Sequence, residues 1–514
     1  MNKKETAYKE IVHSILALTT VEDVIEFGKR YYGQKDSTAA ASIFSRCIIK
    51  RKCNPDSSSS IKNMVNASLL FMSQTSNPNG LHSWFRKLLL KPISGNLELS
   101  IFKIITKKLE ELYLDSEIQM SSADGLDTSI IANTFINVYF NYQSLNIANY
   151  AEYFKFFSEE SKKIYGFNVA DKLPSILMLT SKGYPQNAQE NQEFPPFFSK
   201  KQMLLIFDST NLDSIDKLFV DAKQVQQINK LDKISDELIG KIGLKFPWGY
   251  YVPRNEMIME NILAELQRSP QKSGHPFERL VEYKVREFFQ EYDLETNYYL
   301  QNEPNEKDII VFNDKNIVII ECKLQNLKTV FWDHPKANSR LEQRYNSTIG
   351  KGVRQASGVA DYIRKINDNV AIFTDKKHNF RFQIDNVSRH KIYKVVVTLD
   401  DFVNLAETKF TDKTTTPFDT LIITLPELER IMWKCGSDVD KFLRFLRFRY
   451  QNKNYIVSIN ASELDHFGFF VNKNGGTVKH SKSGIQYLGK NFSSIFDEYD
   501  RETVDKTLIE FGIS

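Results

Sequence analysis

Two short apolar runs joined by a tight polar turn place the strongest constraint on what this chain can fold into. The runs cover residues 308–312 and 317–323, and the turn between them reads Asn-Asp-Lys-Asn. Runs of this length around such a turn favour a β-hairpin. Both runs are apolar on both faces, which is typical of strands in a sheet that helices cover on each side. The sequence therefore predicts a layered α/β core in this part of the chain.

The predicted register of this hairpin brings two carboxylates face to face. If Asn313 pairs with Asn316, Asp308 lies directly opposite Glu321, and Cβ atoms of paired residues are about 4.5–5.5 Å apart. Lys323 follows Glu321 by two positions, so it shares the same face of the strand. A bound hard cation would remove the repulsion between the two carboxylates, which have no other evident counter-charge.

These oxygens are of the kind that a magnesium ion prefers. Mg²⁺ binds carboxylate, carbonyl and water oxygens and keeps several of its waters. Asp308 and Glu321 are therefore predicted metal ligands, with the Cys322 backbone carbonyl as a further ligand and its thiol packed on the opposite face. Lys323 is placed to orient or help deprotonate an attacking water. An ordinary Lys–Glu pair at the end of a surface hairpin is the alternative that these residues leave open.

A predicted helix on each side of the hairpin adds polar residues to this site. The first helix begins near Pro276, which suits the first turn of a helix, and carries Glu278 beside its apolar face. There Glu278 is predicted to reach the metal through water. The second helix is predicted over residues 351–366 and carries Gln355.

Positive charge is concentrated around the second of these helices. The whole chain has a formal net charge of only +4, but residues 340–395 contain 12 Lys/Arg and 5 Asp/Glu. A local basic excess in a near-neutral protein suits a face that binds a polyanion. Lys351 and Arg354 are the predicted phosphate contacts, and a solvated surface is the alternative.

At these residues the sequence resembles the PD-(D/E)xK nuclease superfamily, which has the restriction-endonuclease-like fold. The resemblance covers about 130 of the 514 residues. It implies a four-stranded mixed sheet flanked by helices, a bound Mg²⁺ or Mn²⁺ ion, and cleavage of nucleic acid. The catalytic set that it implies is Glu278, Asp308, Glu321, Lys323 and Gln355.

Three features depart from the pattern of the family. No proline directly precedes Asp308, since Pro304 lies four residues earlier. The spacing from Gln355 to Tyr362 is longer than in the QxxxY motif of one branch. The segment 324–348, between the hairpin and the next helix, is also long.

The length of 514 residues predicts several domains. Apolar residues at three-to-four spacing predict an all-α accessory or interaction region over residues 1–245. Residues 246–400 form the predicted PD-(D/E)xK-like nuclease domain, whose mixed sheet is flanked by helices. Residues 401–514 form a small mixed α/β C-terminal region that can pack on the nuclease domain.

Cysteine usage and hydropathy predict where the protein acts. Four scattered cysteines do not make a disulfide framework, which favours a reducing cytoplasm. No apolar run approaches the ~20 residues needed to cross a bilayer, so no membrane partner is expected. The candidate partners are nucleic acid, a protein bound through the helical region, and a second copy of the chain.

The leading interpretation is a divalent-metal-dependent nuclease that hydrolyses phosphodiester bonds, with DNA favoured over RNA and endonuclease action favoured. Family analogy suggests restriction or antiviral defence as the setting. One alternative is a nucleic-acid-binding protein with an inactive nuclease fold, and another is an RNA-processing or DNA-repair nuclease. The sequence leaves the specificity, the trigger, the oligomeric state and the role of residues 1–245 open.

Overall fold

A computed structural model describes most of the chain. The described residues are 3–53, 61–75, 95–121, 145–180, 197–208, 211–229, 231–253, 255–268, 274–301, 303–324, 343, 345–366, 369–400, 420–452, 456–458, 462–473, 486–488 and 492–512. They divide into two compact units, the first comprising Met1–Ser269 with Asp505–Ser514 and the second Pro270–Val504. Among the described residues, no helix combines the length and the apolar character needed to span a membrane.

The first unit is mainly helical. Its helices are α1 (Lys3–Leu16), α2 (Val21–Gly33), α3 (Ser37–Cys53), α4 (Ile61–Met72), α5 (Gly95–Ser121), α6 (Ile147–Phe156), α7 (Ser158–Tyr165), α8 (Val169–Thr180), α9 (Lys200–Ile206), α10 (Leu212–Asp216), α11 (Ala222–Gln226), α12 (Leu231–Glu237) and α13 (Glu260–Arg268). Their starts follow local capping chemistry. The Thr20 side chain accepts the Asp23 N–H at α2, and Ser199 and Gln202 form a capping box at α9.

A small sheet in the first unit corrects the all-α prediction for residues 1–245. Its strands are β1 (Phe197–Phe198), β2 (Phe219–Asp221), β3 (Gly243–Phe246) and β4 (Gly249–Tyr251), in the order β1-β4-β3-β2. Each strand has only two to four residues, too few to show an alternating pattern in the sequence. The predicted boundary after residue 245 falls inside β3, whereas the division between the units follows Ser269.

The second unit contains the hairpin and a larger sheet. Its helices are α14 (Gly274–Phe288), α15 (Ile349–Lys365), α16 (Leu425–Cys435), α17 (Val439–Asn452), α18 (Glu463–Asn472) and α19, which begins here and runs over Asp497–Glu510. Its strands are β5 (Asp293–Leu300), β6 (Glu306–Phe312), β7 (Asn316–Lys323), β8 (Val370–Thr374), β9 (Phe380–Asp385), β10 (Lys391–Thr398), β11 (Thr420–Thr424), β12 (Ile456–Ser458) and β13 (Gln486–Leu488).

The main sheet has seven strands in the order β11-β10-β7-β6-β5-β8-β9. The β7–β10 and β10–β11 pairs are parallel, and the other pairs are antiparallel. The sheet is therefore mixed, as predicted, but larger than the four strands that the resemblance implied. Strand β11 belongs to the region predicted as C-terminal, so residues 420–424 extend the central sheet itself.

Helices cover both faces of this sheet. Adjacent residues of a strand point to opposite faces. On β10, Lys394 Nζ donates to Ser357 Oγ of α15, whereas the Tyr393 hydroxyl accepts from the Arg447 guanidinium of α17. Helices α15 and α17 therefore cover opposite faces. Helix α14 lies on the α17 side, since phenylalanine rings of α14 and α17 meet edge to face.

The face under α15 holds a continuous apolar core. It is built from β5, β6, β7, β8, β9 and the inward side of α15, with Ile310, Ile319, Ala356, Val359 and Phe373 fully buried. Each isoleucine, valine or phenylalanine side chain among them contributes about 1.5–3 kcal/mol when it leaves water. This core ends at the carboxyl end of β7, where the polar residues of the hairpin begin.

Candidate metal centre at the open end of the central hairpin

The structure confirms the predicted register of the hairpin. Ile309 pairs with Ile320 and Phe312 pairs with Ile317, which is the register that sets Asp308 opposite Glu321. The turn forms as expected for asparagine, because the Asn313 side-chain oxygen accepts the N–H groups of two turn residues.

The strand pairing opens where the carboxylates begin. On β6, the residues from Ile309 to Phe312 pair with β7. At the next position the Asp308 carboxylate, and not a main-chain carbonyl, takes the Cys322 N–H at 2.6 Å. This hydrogen bond fixes the Asp308 side chain against the end of β7.

Lys323 supplies a counter-charge that the sequence analysis did not assign. Its Nζ donates to Glu321 Oε2 at 2.9 Å and to Asp308 Oδ2 at 3.2 Å. A third hydrogen bond, of 3.1 Å, reaches the Cys322 carbonyl, the predicted main-chain ligand. The ammonium thus bridges both carboxylates and uses its three donors within the cluster.

Burial strongly affects the acid and the base of this cluster. The Glu321 side chain is fully buried, and burial followed by the Asp308 charge raises the pKa of Glu321 to about 8 despite the opposing effect of Lys323. Burial alone would lower the pKa of Lys323, but the Glu321 and Asp308 carboxylates outweigh it and raise the pKa above its usual value. The cluster therefore holds a proton that a bound cation would replace.

This pKa shift makes the stability of the metal-free protein depend on pH. The pKa of Glu321 is about 8 in the folded protein against an ordinary value of 4.5, so the folded state binds the proton more tightly than the unfolded state. The stabilisation is complete below about pH 4.5 and is lost as the pH rises through about 8. In chelator, we expect the melting temperature of the wild type to fall between pH 5 and 8.5 relative to that of Glu321→Gln. Parallel profiles for the two proteins would contradict the buried acid.

Gly352 allows α15 to approach the cluster closely. A Cβ at this position would lie 2.9 Å from Val396 Cγ1 and 3.2 Å from Lys323 Cε. The first of these distances is shorter than normal van der Waals contact. A larger residue at position 352 must therefore displace the side chain of Val396 or of Lys323.

Two glycines of α15 make a matched test of this contact. Gly352→Ala should destabilise the protein by about 1–3 kcal/mol through overpacking and reduce any activity that depends on Lys323. Gly358→Ala, whose Cβ would have no atom within 4 Å, should instead stabilise the same helix by about 0.5–1 kcal/mol. Thermal melting of both variants checks this, and equal shifts of the same sign would show that the close approach at Gly352 has no consequence.

Two other predicted site residues, Gln355 and Glu278, lie on the helices α15 and α14. Gln355 lies on the inward side of α15, with its Nε2 3.5 Å from the Glu306 carbonyl and its Oε1 buried without a partner among the described residues. Glu278 is half-buried on α14. Burial, then Asp308, and more weakly Glu278, raise the pKa of the Cys322 thiol, which places Glu278 near that side of β7.

The predicted phosphate contacts lie on the outer side of α15. Lys351 and Arg354 are both exposed, and Arg354 donates to the Asn346 carbonyl at 3.0 Å. Tyr362, two turns from Gln355, donates its hydroxyl to the Ile372 carbonyl at 2.7 Å. Tyr362 is therefore engaged with β8 and not with the carboxylates.

One residue near the cluster was missed by the sequence analysis. Tyr298 on β5 is fully buried, and the charges of Glu321 and Asp308 add to burial in raising the pKa of its hydroxyl. Its sequence context, Thr-Asn-Tyr-Tyr-Leu, carries no signal that distinguishes it from a core residue.

The chemistry of the donors fits a hard divalent cation. Glu321 uses one carboxylate oxygen for Lys323, while its Oε1 is buried with no hydrogen-bond partner in the described parts of the chain. Asp308 and the Cys322 carbonyl add oxygen donors of the type that Mg²⁺ binds. Within the same described residues, no group of three or more His, Cys, Asp or Glu side chains is arranged to hold a metal.

Comparisons with known proteins add no assignment. No protein-family model matches the chain, and neither a curated protein nor a solved structure matches it. The interpretation of the site therefore depends on its own residues and geometry.

Proposed function

We propose that this protein is a divalent-metal-dependent nuclease of the PD-(D/E)xK type, with its active site at the open end of the β6–β7 hairpin. The observation that carries the proposal is the hydrogen-bonded cluster of Asp308, Glu321 and Lys323. It lies at one end of the central strands β6 and β7 of a mixed sheet with helices on both faces. A buried, unpartnered oxygen of Glu321 supports a ligand there, since such an atom is costly to leave unsatisfied.

Each residue of the cluster has a defined role in this proposal. Asp308 and Glu321 hold the cation, and the Cys322 N–H keeps the Asp308 carboxylate in place. Mg²⁺ or Mn²⁺, when bound, would polarise a phosphoryl oxygen and lower the pKa of a coordinated water. Lys323 then offers its ammonium to the scissile phosphate and offsets the charge that develops there.

The outer residues extend the site toward a polyanion. Lys351 and Arg354 are exposed on α15, the helix that carries Gln355 and packs over Lys323. We take DNA as the favoured substrate and endonucleolytic cleavage as the favoured mode, with defence against foreign DNA as the setting, all by analogy with the family. The mainly helical first unit is the proposed site for a partner protein.

Cysteine chemistry supports a reducing cytoplasm as the proposed location. Among the described residues, Cys322 and Cys435 are free and buried, and the buried Cys47 thiol donates to the Leu99 carbonyl. Buried thiols without disulfides are typical of proteins in a reducing compartment.

One observation favours a second candidate, a nucleic-acid-binding protein with an inactive nuclease fold. Lys323 already contacts the carboxyl groups of both Asp308 and Glu321, so the cluster can persist without a cation. The two candidates differ in whether a cation displaces the ammonium from the carboxylate oxygens.

A cleavage assay separates the two candidates. The full chain is incubated with supercoiled plasmid, linear duplex DNA, single-stranded DNA and RNA, each with Mg²⁺, Mn²⁺, Ca²⁺ or chelator. We expect cleavage in Mg²⁺ or Mn²⁺, little turnover in Ca²⁺, and none in chelator. Full cleavage in chelator would exclude the metal mechanism, and binding to nucleic acid without cleavage in any metal would favour the inactive fold.

A further inference from the structure

Tyr298 has a buried hydroxyl that its surroundings in the core do not explain. The residue is 0% exposed, and its hydroxyl has no hydrogen-bond partner among the residues that the structure describes. Leaving a hydroxyl buried and unpaired costs stability. A phenylalanine would fill the same space at no such cost, so the hydroxyl points to a role beyond packing.

The position of Tyr298 in the sheet brings it to the level of the carboxylates. It pairs with Lys307, the residue directly before Asp308 on the adjacent strand. Its ring packs on Phe373 at 5.4 Å between centroids, in the same core cluster as Ile310 and Ile319. These two isoleucines lie two residues from Asp308 and Glu321 along their strands, on the side that α15 covers.

Two buried acceptor oxygens lack a hydrogen-bond donor in the described structure. Glu321 gives Oε2 to Lys323, but its Oε1 is buried and unpartnered in the described structure. Gln355 Oε1, on helix α15, is likewise buried without a hydrogen-bond partner in the described structure. A tyrosine hydroxyl supplies one donor, and a bound water supplies two more. One hydroxyl, one water and two acceptor oxygens therefore form a balanced hydrogen-bond set.

We propose that Tyr298 is a positioning residue of the metal centre, whose hydroxyl orients the Glu321 carboxylate by a hydrogen bond to Oε1, made directly or through one bound water. The inference rests on the proposed function, since Glu321 is the metal ligand that it orients. Groups that hold metal ligands in place contribute to metal affinity even though they do not touch the ion. The Tyr298 hydroxyl thus gains a hydrogen-bond partner when a cation occupies the site.

The test uses Tyr298→Phe in the full chain. In chelator, we expect its melting temperature to rise, because an unpaired buried hydroxyl is removed. Isothermal titration with Mn²⁺ should show an affinity lower by about 10- to 100-fold, and cleavage should lose kcat with little change in KM. A lower melting temperature together with unchanged Mn²⁺ affinity would make Tyr298 a packing residue and overturn the inference.

Tyr32 provides a matched control. It is also fully buried, and its hydroxyl also lacks a hydrogen-bond partner among the described residues, but it belongs to the first unit. Tyr32→Phe should likewise raise the melting temperature while leaving Mn²⁺ affinity unchanged. An equal loss of Mn²⁺ affinity in both variants would overturn a specific role for Tyr298.

The same titration separates this inference from the proposed function. If the wild type binds Mn²⁺ and cleaves, but Tyr298→Phe matches it in affinity and kcat, the inference fails and the nuclease proposal stands. If the wild type binds no Mn²⁺, the metal centre is wrong, and the role of Tyr298 is overturned with it.

Discussion

Asp308→Asn is expected to abolish cleavage while the protein stays folded. The substitution removes one of two ligand charges and with it the cation, whose contribution of several kcal/mol corresponds to a loss of at least about a thousandfold in rate. Asparagine is the informative choice because its side-chain oxygen can still accept the Cys322 N–H that Asp308 holds at 2.6 Å. Alanine would leave that donor buried and unpaired, at a cost of about 1–3 kcal/mol.

A turn residue of the same hairpin serves as the control for this experiment. Asp314 is exposed in the turn, at the opposite end of the strands from Asp308, so Asp314→Asn should cleave normally. Glu321→Gln should behave like Asp308→Asn in the cleavage assay. Normal cleavage by Asp308→Asn would show that the active site has been misplaced.

Lys323→Met is expected to separate metal binding from turnover. The ammonium competes with a cation for the same carboxylate oxygens, so its removal should leave Mn²⁺ affinity equal or tighter. Cleavage should fall by roughly 10²–10⁴-fold, the usual contribution of a positioned proton-transfer or charge-stabilising group. Without metal, the variant should melt at a lower temperature than the wild type, since the buried Asp308–Glu321 pair loses its positive partner.

Added metal should reverse that loss of stability. Melting curves of Lys323→Met with and without Mn²⁺ therefore accompany the titration and the cleavage assay. Lys315→Met, in the exposed turn, is the control for loss of a lysine from the same hairpin and should change none of the three readouts. A Lys323→Met protein that cleaves at the wild-type rate would remove the lysine from the mechanism.

Local sequence determines the hairpin, and this explains why its register could be predicted. The turn residues and the apolar runs lie within residues 308–323, and the alternation of side chains leaves one register that buries both strands. The helices α14 and α15, which precede and follow the hairpin, were also predicted from the sequence.

Strands β5 and β9 were not predicted, for different reasons. Strand β9 is at the edge of the sheet and is exposed at Phe380, Arg381 and Gln383, so it needs few buried residues. Strand β5 begins with polar residues, and the left-handed backbone of Asn297 (φ 51°) interrupts it directly before Tyr298. Strand β9, Phe-Arg-Phe-Gln-Ile-Asp, does alternate apolar and polar residues, a strand signal that the sequence analysis missed, whereas β5 shows neither an alternating nor a continuous apolar run.

The sequence predicted that Asp308, Glu321 and Lys323 come together, as their contacts show, but it did not predict the electrostatics of this cluster. Sequence spacing gave the shared face of Glu321 and Lys323, but the close approach of α15 to Lys323 at Gly352 depends on long-range packing. The full burial of Glu321 depends on long-range packing in the same way. Tyr298 reaches the site from a strand whose pairing could not be inferred from local sequence.

Titration of the metal-free protein with Mn²⁺ tests the central claim most directly, with the wild type and Asp308→Asn measured side by side. The account predicts one Mn²⁺ site per chain in the wild type, and a loss of that site in Asp308→Asn at an unchanged fold. Equal Mn²⁺ binding by the two proteins, or no binding by the wild type, would contradict a metal centre built on Asp308 and Glu321.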